Sequence, residues 1–480
     1  MPRRIAVIDI GSNTVRFVVY DGASRSPLAF FNEKVTCRLG QNLQETGFLN
    51  PEGVERAIRG LRRFRALAEA MGVSRTVAIA TAAVRSAADG IEFCRRAEQE
   101  SGFSIDVISG PEEARLSAMG VLSGRPDAKG LVCDMGGSSM ELAWVEEGET
   151  LDCISTPFAP LSVGKGDGKE VSKSLGKLRK NYPKKIKNLY LVGGSFRAIA
   201  RLDIERLSYP LSIIHDYNLS RDGVREIARL LEEEETAIVA SDLKISADRY
   251  ELLPRACSVL LTLLDSFEPK RILMSSFGLR EGALFSALPK KMRAEDPLIS
   301  AAGAMANRSA RFPEFGPALY DWVRPMFDDV SKRIDRLIHA ACLLHDVNWR
   351  AHPDYRAEVS FDTAARANLA GLSHIDRVFL GIALMHRYAM RLSNPSYQAM
   401  SSLLAEEENT LARALGMAMR LGALFSSAGA EGLDDVTIAR DGDALVLKLG
   451  SKAGAFDGEK VERRLSDVAV ILGLKADLRA

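Results

Sequence analysis

The sequence has no long apolar run, no paired cysteines and almost no net charge, and each absence removes a class of protein. No uninterrupted apolar stretch approaches the ~20 residues that a membrane-spanning helix requires. The apolar run after the opening MPRR is too short for a secretory signal, and no small-residue cleavage site follows it. The expectation is therefore a cytoplasmic chain with no membrane partner. The six cysteines, at 37, 94, 133, 153, 257 and 342, show no CxxC spacing and read as free thiols rather than a disulfide or zinc framework. With 64 Lys and Arg against 63 Asp and Glu, the formal net charge is +1, which gives no molecule-wide attraction for nucleic acid. The G-K-[ST] of a P-loop is missing as well.

What is present is ordinary bulk and one unusual repeat. The 480 residues suffice for several domains, and 46% hydrophobic with 26% charged content suits a globular chain with real cores. The segment VIDIGSNTVRFVVYDG, residues 7–22, is echoed by VCDMGGSSMELAWVEEG, residues 132–148. Asp9 corresponds to Asp134 and Gly11 to Gly136. Each segment reads as strand, small-residue turn, strand, whereas a P-loop turn leads into a helix. The echo predicts two similar α/β halves facing each other, each presenting one phosphate-binding hairpin.

Strand and helix patterns alternate through the first part of the chain, which defines an α/β architecture. Helical spacing runs over 51–72 and ends at Gly72. The segments 188–202 and 270–288 each read as strand, small-residue turn, helix. From Asp296 to about Ala430 the pattern is almost wholly helical, and the last 45 or so residues become mixed again. The predicted divisions are 1–128, 129–295, 296–432 and 433–480.

The first turn offers backbone N–H groups from Gly11 to Thr14, the hydroxyls of Ser12 and Thr14, and the Asn13 amide, a set able to form a nest around phosphate oxygens. Asp9 is placed to orient magnesium through water, and Arg16 to add a charge-assisted contact. The second turn repeats the offer with Gly136, Gly137, Ser138 and Ser139 beside Asp134. Glu141 either orders metal or water or is a cross-strand partner. In SGPEEAR, residues 109–115, Ser109 and Glu112 have capping-box spacing, which explains Glu112 but not Glu113. A carboxylate near a helix N-terminus suits a general base acting on water. Arg85 and Arg280 each follow a predicted strand, where ligands bind in α/β sheets. The turn Gly193-Gly194-Ser195 opens a helix and either cradles an anion or serves packing. The basic stretch 165–187 is either solvated surface or a lobe that concentrates a polyanion. Five of the six histidines lie in the helical region, and His345-Asp346 forms an HD pair, which reads as an interface element in the absence of a converging ligand set.

Six ordered motifs, DIGSNTVRF, ATAAVR, ISGPEEAR, DMGGSSME, GGSFRAIA and GLREG, span roughly the first 285 residues. In them the chain resembles the exopolyphosphatase and guanosine pentaphosphate phosphohydrolase family of the actin, hexokinase and Hsp70 ATPase superfamily. The resemblance implies two ribonuclease-H-like domains around a cleft, an all-α HD-like domain and a small α+β C-terminal domain. It implies Glu113 as hydrolytic base and Asp9, Asp134 and Glu141 as magnesium- and phosphate-binding acids. Arg16, Arg85 and Arg280 would bind phosphate. The expected activity is magnesium-dependent release of orthophosphate from the end of inorganic polyphosphate, by a homodimer. Guanosine pentaphosphate is the alternative substrate, and a catalytically weakened sensor the alternative role. One departure stands out: the family pattern DxGGGS has a third glycine where this chain has Ser138.

Overall fold

The computed structural model describes residues 4–164, 168–327, 330–388, 395–451, 453–456 and 458–479. The chain forms two compact units, Met1–Ala294 and Glu295–Ala480.

The first unit contains two sheets of related design. In one, β1 (Arg4–Ile10), β2 (Thr14–Tyr20), β3 (Ala29–Thr36), β4 (Val73–Ala80) and β5 (Ile105–Val107) lie in the order β3-β2-β1-β4-β5. The aliphatic run of β1 is buried on both faces, as a central strand requires. The helix Pro51–Ala70 lays Ala57, Leu61, Phe64 and Ala68 on the sheet, and Phe64 stacks on Phe17 with ring centroids 5.1 Å apart. In the other sheet, β6 (Gly130–Met135), β7 (Met140–Glu146), β8 (Glu149–Thr156), β9 (Asn188–Val192), β10 (Asn218–Leu219) and β11 (Arg271–Met274) lie in the order β10-β11-β9-β6-β7-β8.

The sequence echo therefore extends to topology. β6 pairs antiparallel with β7 and parallel with β9, as β1 pairs antiparallel with β2 and parallel with β4. β8 and β11 take the places that β3 and β5 hold in the first sheet, and β10 adds one more strand beyond β11. Two helices fasten the halves together. Gly110–Gly124 and Leu279–Ser286 cross so closely that a methyl group on Gly120 would overlap the Gly278 carbonyl, and one on Gly282 the Leu116 carbonyl.

In the basic stretch, Lys165, Gly166 and Asp167 lie outside the described residues. Beyond them, Gly168–Leu178 is a helix that buries Val171 and Leu175 and leaves Lys169, Lys173 and Lys177 exposed. The second unit is helical up to the short 3₁₀ segment Ser426–Leu433. It then closes with β12 (Val436–Asp441), β13 (Ala444–Leu449) and β14 (Lys475–Arg479) in the order β12-β13-β14. The Trp322 indole N–H donates to the Val436 carbonyl at 3.0 Å, tying this sheet to the helices of its own unit.

Replacing Gly282 with valine forces a branched side chain into the helix crossing. The expected result is destabilisation by about 1–3 kcal/mol, read as a lower midpoint of denaturant unfolding, whereas Gly303→Ala, at an open helical position, leaves the midpoint unchanged or raised.

Candidate functional site

The two echoed turns are built by the same local rule. In the first, the Gly11 N–H donates to the Thr14 carbonyl at 3.0 Å; in the second, Gly136 donates to Ser139 at 3.0 Å. The pairing of Asp9 with Arg16 across β1 and β2 matches that of Asp134 with Glu141 across β6 and β7. The turns face each other, and the Ser12 and Ser138 hydroxyls share a hydrogen bond of 2.6 Å. The serine that replaces the third glycine is thus the bridge between the two halves. Its carbonyl accepts from Ser162 Oγ at 2.7 Å, which fixes the second turn from behind.

Between the halves lies a cleft of about 710 Å³. Its floor is formed by Asp9, Asp134, Glu113 and the two turns, all parts of the chain that leave the central strands or open a helix. Gly193 brings in a third wall. Its φ of +120° and its approach to the Met135 carbonyl leave no room for a Cβ, so the chain can turn from β9 into the helix Gly194–Arg206 only through glycine. Gly194, Ser195, Arg197 and Arg201 line the cleft from that helix, joined by Arg280 from the helix Leu279–Ser286.

The acids at the floor share one electrostatic problem. Burial pushes Asp9 above its ordinary value against the pull of Arg280 and Arg16. Burial also raises Asp134, opposed by a hydrogen bond donated from Ser117 Oγ and by Arg197. Glu113, in the first turn of its helix, is pushed up to about 7 by burial against the nearby Arg85. Arg85 Nη1 donates both to Glu113 Oε2 at 3.0 Å and to the Ile108 carbonyl at 2.8 Å. Beside Glu113, Glu112 makes only half of the capping box: its N–H donates to Ser109 Oγ at 3.3 Å, while its carboxylate turns to Arg115.

Most of the residues expected to act together line this cleft: Asp9, Gly11, Ser12, Asn13, Thr14, Arg16, Glu113, Asp134, Gly136, Gly137, Ser139, Gly193, Gly194, Ser195 and Arg280. Arg85, Ser138 and Glu141 stand behind them. Glu141 is 2% exposed, its Oε1 accepts from Ser155 Oγ at 2.9 Å, and burial followed by Glu113 and Asp134 holds it well above the usual carboxylate range. Lys34, Arg201, Lys244 and Arg249 are isolated cations in unremarkable segments of the sequence, and Arg197 carries no motif role of its own; all five line the cleft. Among the described residues Arg197, Arg201, Lys244, Arg249 and Arg280 make no ion pair.

The donor set at the floor is all oxygen, carboxylates and hydroxyls, which suits a hard cation such as magnesium. Among the described residues no three His, Cys, Asp or Glu side chains are gathered to hold a metal. Asp9 and Asp134 therefore fit an ion that keeps most of its ligands as water and ligand oxygens. In the second unit the HD pair is differently engaged. Asp346 forms a two-pronged ion pair with Arg311 at 2.8 Å, and His345 Nδ1 lies 2.8 Å from the Cys342 carbonyl. Burial, then Arg387, pushes His345 down to about 4.

Comparison with known proteins fixes the class. The Ppx/GppA phosphatase family matches residues 18–291, and the C-terminal region of exopolyphosphatases matches residues 298–479. The chain belongs to the Ppx/GppA phosphatase family. It is 24% identical over 434 residues to Retrograde regulation protein 2 of Saccharomyces cerevisiae, covering 80% of this chain and 72% of that one. It is 26% identical over 313 residues to a putative exopolyphosphatase of Haemophilus influenzae, covering 61% and 94% of the two chains. The crystal structure of an Aquifex aeolicus Ppx/GppA family member superposes with a TM-score of 0.50 at 25% identity, covering 59% of this chain and 97% of that one. The first turn, Gly11 to Thr14, precedes the family match, and its kinship with the second turn rests on the internal echo and the shared topology. Among the described residues no helix is long and apolar enough to cross a membrane.

The elevated Glu113 carboxyl has a consequence for stability. The unfolded chain releases this proton at a lower pH than the folded one, so between about pH 4.5 and 7 the folded state binds more protons and loses stability as pH rises. In Glu113→Gln this loss is absent. The difference in unfolding free energy, variant minus wild type, is expected to grow by on the order of 2 kcal/mol from pH 5 to pH 8; parallel pH profiles for the two proteins would contradict the assignment.

Proposed function

We propose that this chain is an exopolyphosphatase that hydrolyses the terminal phosphate of inorganic polyphosphate. The observation that carries the proposal is a carboxyl poised near neutrality, Glu113, in the same cation-lined cleft as two facing, backbone-rich turns. The turns and Ser139 would hold the equatorial oxygens of the terminal phosphoryl group through N–H and O–H donors. Arg16 and Arg280 would neutralise the charge that spreads over those oxygens. Glu113 would take a proton from water as the water oxygen forms its bond to the terminal phosphorus. The bond to the bridging oxygen breaks, and its electron pair leaves with the shortened chain. Arg85 engages Glu113 Oε2, which leaves Oε1 as the proposed proton acceptor. Asp9 and Asp134 would hold magnesium, with Glu141 behind them, and the ion when bound supplies charge neutralisation at the phosphate oxygens.

The finer architecture belongs to the same proposal. The matched strand orders of the two sheets support a pair of ribonuclease-H-like, actin-type domains, 1–128 and 129–295, followed by an HD-like helical domain, 296–432, and a small α+β domain, 433–480. A cytoplasmic homodimer, with no role for nucleic acid or membrane, completes it. A second reading, a polyphosphate or nucleotide sensor with weakened turnover, draws its support from Ser138, whose hydroxyl fastens the two turns together.

Phosphate release from long polyphosphate, guanosine pentaphosphate and ATP, with and without magnesium, tests these readings. Fastest release from polyphosphate with magnesium is expected, with kcat/KM falling on the acid side because the base must be ionised. Faster release from guanosine pentaphosphate would move the chain to the alternative substrate, and tight binding without release would make it a sensor. Glu113→Gln is expected to lower kcat by about 10²–10⁴-fold while polyphosphate still binds.

A further inference from the structure

The GLREG motif sets an arginine and a glutamate side by side. Arg280 lines the cleft, whereas Glu281 is not among the lining residues. Glu281 sits in the first turn of the helix Leu279–Ser286, and its Oε2 accepts from the Gly278 N–H at 2.9 Å, which is ordinary helix capping. Its Oε1 has a different partner. The Tyr20 hydroxyl, from β2 in the opposite half, donates to it at 3.0 Å. Tyr20 is 3% exposed and packs with Leu284 of the same helix and with Val7 and Val18 of its own sheet. Capping accounts for the first bond and not for the second.

The carboxylate anchored in this way is felt by three arginines of the cleft. Arg280 stands above its ordinary value although burial opposes it, because Glu281, then Asp9, favours its charge. Burial, then Arg280, pushes Arg197 down to about 10, and Glu281 opposes the shift. Burial followed by Arg280 also lowers Arg16, against Asp9 and then Glu281. Yet Glu281 makes no ion pair among the described residues, and each of its oxygens already has a donor. Its charge therefore offsets the arginines through space and consumes none of their N–H groups. A phosphate site with several arginines grips product as well as substrate, since orthophosphate carries the same oxygens as a chain end. A fixed negative charge behind the arginines weakens that grip.

Resting on the exopolyphosphatase reading, we infer that Glu281 is a positioning residue that acts through Arg16, Arg197 and Arg280 to limit how tightly the cleft holds orthophosphate. Tyr20 keeps its carboxylate at a distance, so that it tempers the arginines without pairing with them. The device speeds departure of the product.

The test uses the full chain and measures, by calorimetry at fixed magnesium and ionic strength, the orthophosphate binding that long-chain polyphosphate displaces. Glu281→Gln keeps the size of the side chain and an oxygen for the cap while removing the charge. It is expected to bind orthophosphate about fivefold tighter or more, and in phosphate-release assays to show a lower KM for polyphosphate with stronger inhibition by added orthophosphate. Tyr20→Phe frees Oε1 to pair with an arginine, and is expected to shift orthophosphate binding the other way, weaker by about twofold or more. Glu281→Asp retains the charge and is expected to stay close to wild type. Unchanged or weaker orthophosphate binding in Glu281→Gln overturns the inference, as do equal shifts in Glu281→Gln and Glu281→Asp, which would mark lost packing rather than lost charge. Calorimetry reads binding without turnover. If wild type releases no phosphate from polyphosphate, the hydrolase reading falls, while opposite shifts in Glu281→Gln and Tyr20→Phe still support the counter-charge.

Discussion

Carboxylates resist being buried, and this molecule buries four in and behind one cleft. Asp9, Asp134, Glu113 and Glu141 are each raised by loss of water, and the neighbouring acids add to the effect. Such a group is tolerable only if cations and hydrogen-bond donors surround it, and here they come from both halves of the first unit. Arg16 and Arg85 come from the first sheet region; Arg197 and Arg280 come from the second. Neither half alone could carry its acids at this depth. The cleft is consequently a place where positive and negative groups are interleaved but largely unpaired, and a polyanion with its counter-ion would complete the balance.

The duplicated topology explains why the groups meet. In each sheet the central strand, β1 or β6, ends in an acid just before a glycine-led turn into its antiparallel neighbour. The parallel neighbours β4 and β9 each lead into a helix beside that turn. Ligands collect at such strand ends because backbone donors and helix starts converge there. Two copies face to face convert a pair of shallow edges into an enclosed cleft, and Ser12 and Ser138 mark the point where the copies touch.

The parts of the fold written locally were legible in the sequence. The alternation of strands and helices, the change to a helical pattern near residue 295 and the mixed tail all follow from apolar periodicity, which reports neighbours a few positions apart. The turn residues could be named together because glycine, hydroxyl and acid sit within six positions of one another. Arg201, Lys244 and Arg249 gave no such signal. A lone cation in an exposed-looking segment has the same pattern whether it faces water or a cleft, and only the tertiary packing that brings these segments to the cleft settles the matter. The engagement of Arg85 with Glu113 was equally invisible, since it joins residues 28 positions apart. The strands β3 and β8 carry weak apolar patterns because they are edge or near-edge strands with one wet face.

The crossing at Gly120 and Gly282 acts as a spacer of fixed calibre. With no side chain at these two points of the crossing, the gap there is set by the thickness of bare main chain, which mutation cannot shrink and can only widen. Any larger residue there would act as a shim, tilting one lobe away from the other and pulling Ser12 from Ser138. The gauge of the ligand chamber is thus written at a distance from its walls, in two positions whose nearest neighbours across the crossing are backbone atoms.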